Sequence, residues 1–140
     1  MSLSVITYVL TALAAVVVVL TRLRMRGGLG AGRFHVGNRL LDVHTVCGVL
    51  AVIIWTVFLL LPDDAAARST VGIVGLGLFW IVTIAGLLIL VRWLPSHGRH
   101  ASEGVQDSWS EGPGLSVLAH IGMLVGVIVF TYVYLNPTAV

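Results

Sequence analysis

The sequence predicts an all-α integral membrane protein, a four-helix bundle with both termini outside. Three observations carry that expectation. Hydrophobic residues make up 58% of the 140 residues and charged ones only 10%, against roughly 45–50% and 25% in a soluble domain. Mean hydropathy is +1.04, and a chain this small cannot hide so much apolar surface from water. The apolar residues also gather into four segments, about 3–20, 40–61, 71–91 and 114–135. Each is near the roughly 20 residues that cross about 30 Å of hydrocarbon as a helix. The helix is the only open-chain structure that satisfies its own backbone in lipid.

The first segment is expected to stay in the membrane as an uncleaved anchor. Its charges, Arg22, Arg24 and Arg26, follow the apolar run and do not precede it, and no A-x-A site closes it. The first connection, residues 24–38, is rich in Gly and Arg. Its glycines match no phosphate-binding loop, because no strand precedes them and no Lys-Ser/Thr follows. The second segment holds Asp42 and His44 near its start and the single cysteine, Cys47, within it. One cysteine forms no internal disulfide. At a helix start, Asp42 is favoured by the dipole and by free N–H groups, so capping is its expected role.

The second connection is short and carries Asp63, Asp64 and Arg68. The third segment bears a stripe of Gly72, Gly75, Phe79, Thr83 and Gly86. The third connection, residues 94–113, is punctuated by Pro95 and Pro113, and 101–111 reads as a short interfacial helix weakened by Gly104. The fourth segment begins after Pro113 and contains Ala119, His120, Gly122 and Gly126, the last two a G-x-x-x-G. Small residues let membrane helices approach closely. Gly72, Gly75, Gly86, Gly122 and Gly126 are therefore the candidate packing or partner-contact residues, within this bundle or against another subunit.

All eight basic residues are Arg, and seven lie in or beside the first and third connections. The positive-inside rule makes those connections cytoplasmic and leaves the second outside. The pI near 9.2 thus reports helix orientation and anionic lipid, not nucleic acid. Trp93 and Trp109 suit the inner headgroup level, and Tyr132 and Tyr134 the outer one.

The sharpest chemical feature is His44 with His120. The second and fourth helices run parallel, which puts both imidazoles roughly 6–9 Å below the same helix ends. Aligning the two histidines also brings LDVHTVCGVLAVIIW over VLAHIGMLVGVIVFT, a faint internal repeat. Three readings stand side by side. The pair can clamp a haem iron from both sides, with Gly48, Cys47 and Ala51 on the His44 face and Arg39 and Arg92 near the propionates. It can serve interhelical hydrogen bonding or packing, the commonest use of such residues. It can also take part in proton movement. His97, His100 and Glu103 form H-x-x-H-x-x-E, which lacks a fourth metal ligand and reads as solvated loop. No H-E-x-x-H, G-x-S-x-G or C-x-x-C occurs, so no enzyme activity, catalytic residue or bare-metal motif is expected.

The stretches DSWSEGPGLSVLAHIGMLVGVIVFTYVYL and LLDVHTVCGVLAVIIW resemble the small four-span inner-membrane proteins of mycobacteria and related actinobacteria, among them LucB-like accessory subunits of the Mce lipid importers. The resemblance implies a plasma-membrane location. It also implies a non-enzymatic subunit that binds and stabilises a larger complex, a transporter of fatty acids or sterols, beside that complex's permease helices. It implies no site residue and no cofactor. The alternative function is a b-type haem anchor or electron-transfer subunit with His44 and His120 as axial ligands.

Overall fold

The computed structural model describes residues 2–26, 38–97 and 113–136. They form four helices: α1 (Leu3–Arg26), α2 (Asn38–Leu60), α3 (Arg68–His97) and α4 (Pro113–Leu135). All four are long and apolar enough to span a membrane, and the chain is a multi-pass membrane protein. Segments 101–111 and residues Arg33, Arg99, His100, Glu103 and Trp109 lie outside the described residues.

The helices run past the apolar limits that hydropathy predicts. α1 continues from residue 20 to Arg26, because Leu, Arg and Met are good helix formers whether or not lipid surrounds them. α3 continues through Pro95 to His97. Proline there removes one backbone donor in the last turn and does not end the helix, as membrane helices tolerate. Pro113 opens α4, where its missing N–H has no carbonyl to meet. At the N-terminus of α1, the Val5 N–H donates to Ser2 Oγ at 3.4 Å, the geometry of an N-cap.

Asp42 is used differently from the expected cap. It pairs with Arg22 at 2.7 Å and ties the end of α1 to the start of α2. At the opposite end, Arg68 organises the short α2–α3 connection. Its guanidinium donates to the Leu61 carbonyl, pairs with Asp63 at 3.2 Å and lies 4.8 Å over the Phe58 ring. Tyr134 reaches Ser69 from α4, donating to its carbonyl at 3.3 Å. The bundle is thus pinned at both ends by polar contacts near the headgroup level.

Between the ends, α3 is the hub. Half of its span is buried, 50% against 22–28% for the other three, and its most extensive neighbour is α2. The glycine stripe explains why. A Cβ at Gly75 would stand 3.1 Å from the Trp55 backbone nitrogen, and one at Gly72 would stand 2.7 Å from the Phe58 ring. Lipid chains are as apolar as leucine, so helices gain from close van der Waals contact and not from leaving water. Glycine on α3 permits that contact with α2. The core beside it is aromatic: Trp55 lies 4.8 Å from Phe58 and 4.9 Å from Phe130, and Phe130 lies 4.9 Å from Phe79.

The α4 glycines behave otherwise. Gly122 is exposed and Gly126 buried, and among the described residues no atom of another helix lies within 4 Å of where a Cβ would stand on either. Among the described residues, Gly72, Gly75 and Gly86 make close contacts between helices and the G-x-x-x-G of α4 does not.

Candidate functional site

Toward the arginine-bearing end of the core, His44 and His120 meet. His44 is 3% exposed and His120 8%. Their ring centres are 6.3 Å apart and the planes are tilted by 41°. Parallel α2 and α4 carry them at one level, as the spacing predicts, and the faces of the two helices bring them together across the bundle. α3 closes the gap from the side. A Cβ at Gly86 would lie 3.1 Å from His120 Nε2 and 3.2 Å from His44 Nε2. Both Nε2 atoms therefore converge on one point beside the α3 backbone, which only glycine leaves open.

The rings bound a void of about 10 Å³ lined by Val17, Val18, His44, Val82, Thr83, His120 and Met123. All four helices contribute. The surface that opens onto it is apolar, and a void of that kind stays dry even where it has the volume of one water. Two polar atoms at the site stand without partners among the described residues: His44 Nδ1 and Thr83 Oγ1. The case of Thr83 is pointed. Thr7, Thr11, Thr45, Thr56 and Thr131 each donate to the carbonyl four residues back, the ordinary way to satisfy a hydroxyl in a membrane helix. Thr83 does not, though it is only 4% exposed. A buried polar atom left unpaired costs about 1–3 kcal/mol, so Thr83 Oγ1 calls for an explanation such as strain, a buried water or a bound ion.

Metal–imidazole bonds are about 2 Å long and a ring nitrogen lies about 1 Å from the ring centre, so two imidazoles placed trans on one ion have centres about 6 Å apart, and nearer centres at trigonal or tetrahedral angles. The observed 6.3 Å fits the trans arrangement alone and is also an ordinary contact distance between packed rings. A porphyrin does not fit the same geometry. The void of about 10 Å³ is far too small, and the α3 backbone at Gly86 stands against both imidazoles where the macrocycle would extend. The axial spacing expected for haem is present and the slot for its plane is not. Arg39 is exposed at the end of α2.

Sequence reasoning found His44 and His120 and included Thr83 and Gly86 in the α3 stripe without linking them to the histidines. It missed Met123. Met123 lies three residues after His120, and that helical spacing was the available sign. Cys47, expected on the His44 face, is a free, half-buried thiol. It is not among the residues lining the void. No group of three or more His, Cys, Asp and Glu gathers among the described residues. Comparison with protein-family models, with curated proteins and with solved structures finds no match to this chain.

Proposed function

We propose that the protein is a membrane-embedded metalloprotein whose metal centre is held by the imidazoles of His44 and His120. One observation supports this reading: two buried imidazoles from different helices, inside a membrane bundle, have ring centres 6.3 Å apart, a separation that two trans ligands on a single ion would have. Ionisable residues inside a membrane are expensive and are functional candidates by default. Thr83 Oγ1, buried beside the pair without a partner among the described residues, is a polar atom that a bound species could satisfy.

The test is metal content and absorption of the purified full-length protein. The wild type is expected to carry or take up about one metal per chain, and His44→Ala and His120→Ala each to lose it at unchanged helicity, because neither single imidazole holds the ion alone. A wild type that neither carries nor takes up any metal overturns the reading. A Soret band lost in both variants keeps the two ligands and assigns them to haem, with α3 displaced at Gly86.

The centre sits at the arginine-bearing end. Positive-inside bias supports a cytoplasmic location for that end with both termini outside, and we read the membrane as a bacterial plasma membrane. A cysteine introduced at Asp64 should then react with an impermeant reagent applied outside, and one at Gly30 should not. The opposite labelling pattern inverts the topology.

A second reading, the accessory subunit of a lipid transporter, keeps one favourable observation. Gly122 faces out of the bundle with open space above it, where a partner's helix has room to approach. It is expected to show as co-purification of a larger membrane complex in mild detergent, released by Gly122→Leu. A lone wild-type chain under those conditions removes this reading.

A further inference from the structure

We infer that the arginine-bearing end of α1 and α2 binds an anionic phospholipid, with its headgroup phosphate at Arg22 and Arg39 and its acyl chains along the exposed faces of the two helices. The inference is independent of the metal-centre reading.

Charge is the first argument. The arginine-bearing side is itself uneven. Residues 22–42 hold Arg22, Arg24, Arg26, Arg33 and Arg39 against one acid, Asp42, a net of four positive charges. Residues 92–111 hold Arg92 and Arg99 against Glu103, Asp107 and Glu111, a net of one negative charge. The positive-inside rule counts basic residues and is nearly blind to acids, so it accounts for arginines in both connections alike. A lipid headgroup responds to the net field, and the excess of positive charge belongs to the α1–α2 end alone. Every basic residue is Arg, whose planar guanidinium meets a phosphate through two parallel N–H bonds.

Placement is the second argument. Arg22 Nη1 lies 2.7 Å from Asp42 Oδ1, which fixes where the end of α1 meets the start of α2. That pair neutralises the one acid present and commits one nitrogen of Arg22, leaving further guanidinium donors. Arg39 stands three residues before Asp42 on α2. It is exposed and has no ion-pair partner among the described residues. Toward the membrane centre from this level, Val16, Val19 and Leu20 of α1 and Val43 and Val46 of α2 are exposed. The α1 span is the least buried of the four, at 22%, so its surface is left to lipid. A cationic level with bare apolar helix beneath it matches both parts of a phospholipid. A free phosphate would use only the first.

The experiment records native mass spectra of the full chain in a neutral detergent with added phosphatidylglycerol, phosphatidylcholine or inorganic phosphate. Detergent gives the chain no sidedness, so arginines that serve membrane insertion alone leave no trace in this readout. The wild type is expected to retain phosphatidylglycerol about fivefold or more over phosphatidylcholine. Arg39→Gln alters an exposed position and should fold normally. It is expected to lower phosphatidylglycerol retention about fivefold, the share of one basic residue near a membrane surface. Arg99→Gln, in the third connection, should leave retention unchanged. Equal retention of the two lipids by the wild type overturns the inference and assigns the arginines to insertion. Equal losses from Arg39→Gln and Arg99→Gln overturn it in favour of bulk charge. Inorganic phosphate that displaces phosphatidylglycerol overturns the lipid assignment and leaves a site for phosphate alone.

Discussion

Gly75→Leu is expected to separate α2 from α3 and to cause the largest stability loss of any glycine substitution in the bundle. The neighbour that a Cβ would meet is backbone, the Trp55 nitrogen at 3.1 Å and its Cα at 3.3 Å, and backbone inside a packed helix cannot swing aside. Even alanine forces a shift of a few tenths of an ångström. Leucine adds three further carbons, so its cost belongs at or above the upper end of the roughly 1–3 kcal/mol typical of overpacking. Gly77 is the internal control on the same helix: nothing lies within 4 Å of its Cβ position. Replacing Gly77 by Ala or Leu is expected to be neutral or to stabilise by up to about 1 kcal/mol, the gain in helix propensity. The measurement is loss of helicity or of fold as a denaturing detergent is titrated into the mild one. Equal midpoints for Gly75→Leu and Gly77→Leu would mean that α2 and α3 are not in backbone contact at this point.

The second large effect is expected at Trp55. It is fully buried and touches three aromatic rings: Phe58 at 4.8 Å, Phe130 at 4.9 Å, and Phe79 edge-on at 6.2 Å. Trp55→Ala leaves a cavity that the rigid rings around it cannot fill, and large aromatic truncations of this kind cost about 3–5 kcal/mol. Lipid does not soften the loss, because the lost dispersion contacts lie inside the bundle. Trp55→Phe is the informative companion. The indole Nε1 has no hydrogen-bond partner among the described residues, so phenylalanine removes an unsatisfied donor while keeping most of the ring contact. It is expected to cost under about 1 kcal/mol. The same denaturation series reads both variants. A phenylalanine as damaging as alanine would show that the indole N–H is in fact bonded to a buried water or ligand.

These expectations put the bundle's stability at one end and its chemistry at the other. The aromatic core and the tight α2–α3 contact lie toward the short Pro62–Ala67 connection, where Arg68 and Tyr134 tie the helix ends. The histidine pair lies toward the arginine-bearing end, where α1 and α2 are joined by the Arg22–Asp42 pair. That pair is solvent-accessible, and an exposed ion pair is worth about 0–1 kcal/mol.

Composition and hydropathy alone determined the solvent of this protein, the number of its helices and, through the parallel course of α2 and α4, the common level of His44 and His120. They did so because crossing hydrocarbon is a property of a segment's length and polarity, which is written locally. The glycine stripe of α3 was equally legible, since its spacing places small residues on one face. Which stripe faces inward was decided only by the tertiary structure: Gly72, Gly75 and Gly86 are consumed inside, whereas Gly122 points away. In water an apolar face must turn inward, and the pattern reveals it. In a membrane the outside is as apolar as the inside, so each helix is hydrophobic all round and the pattern is silent. The same silence hid Met123, and hid the link between Thr83 of the α3 stripe and the histidines, until four helices brought them to one void with two imidazoles.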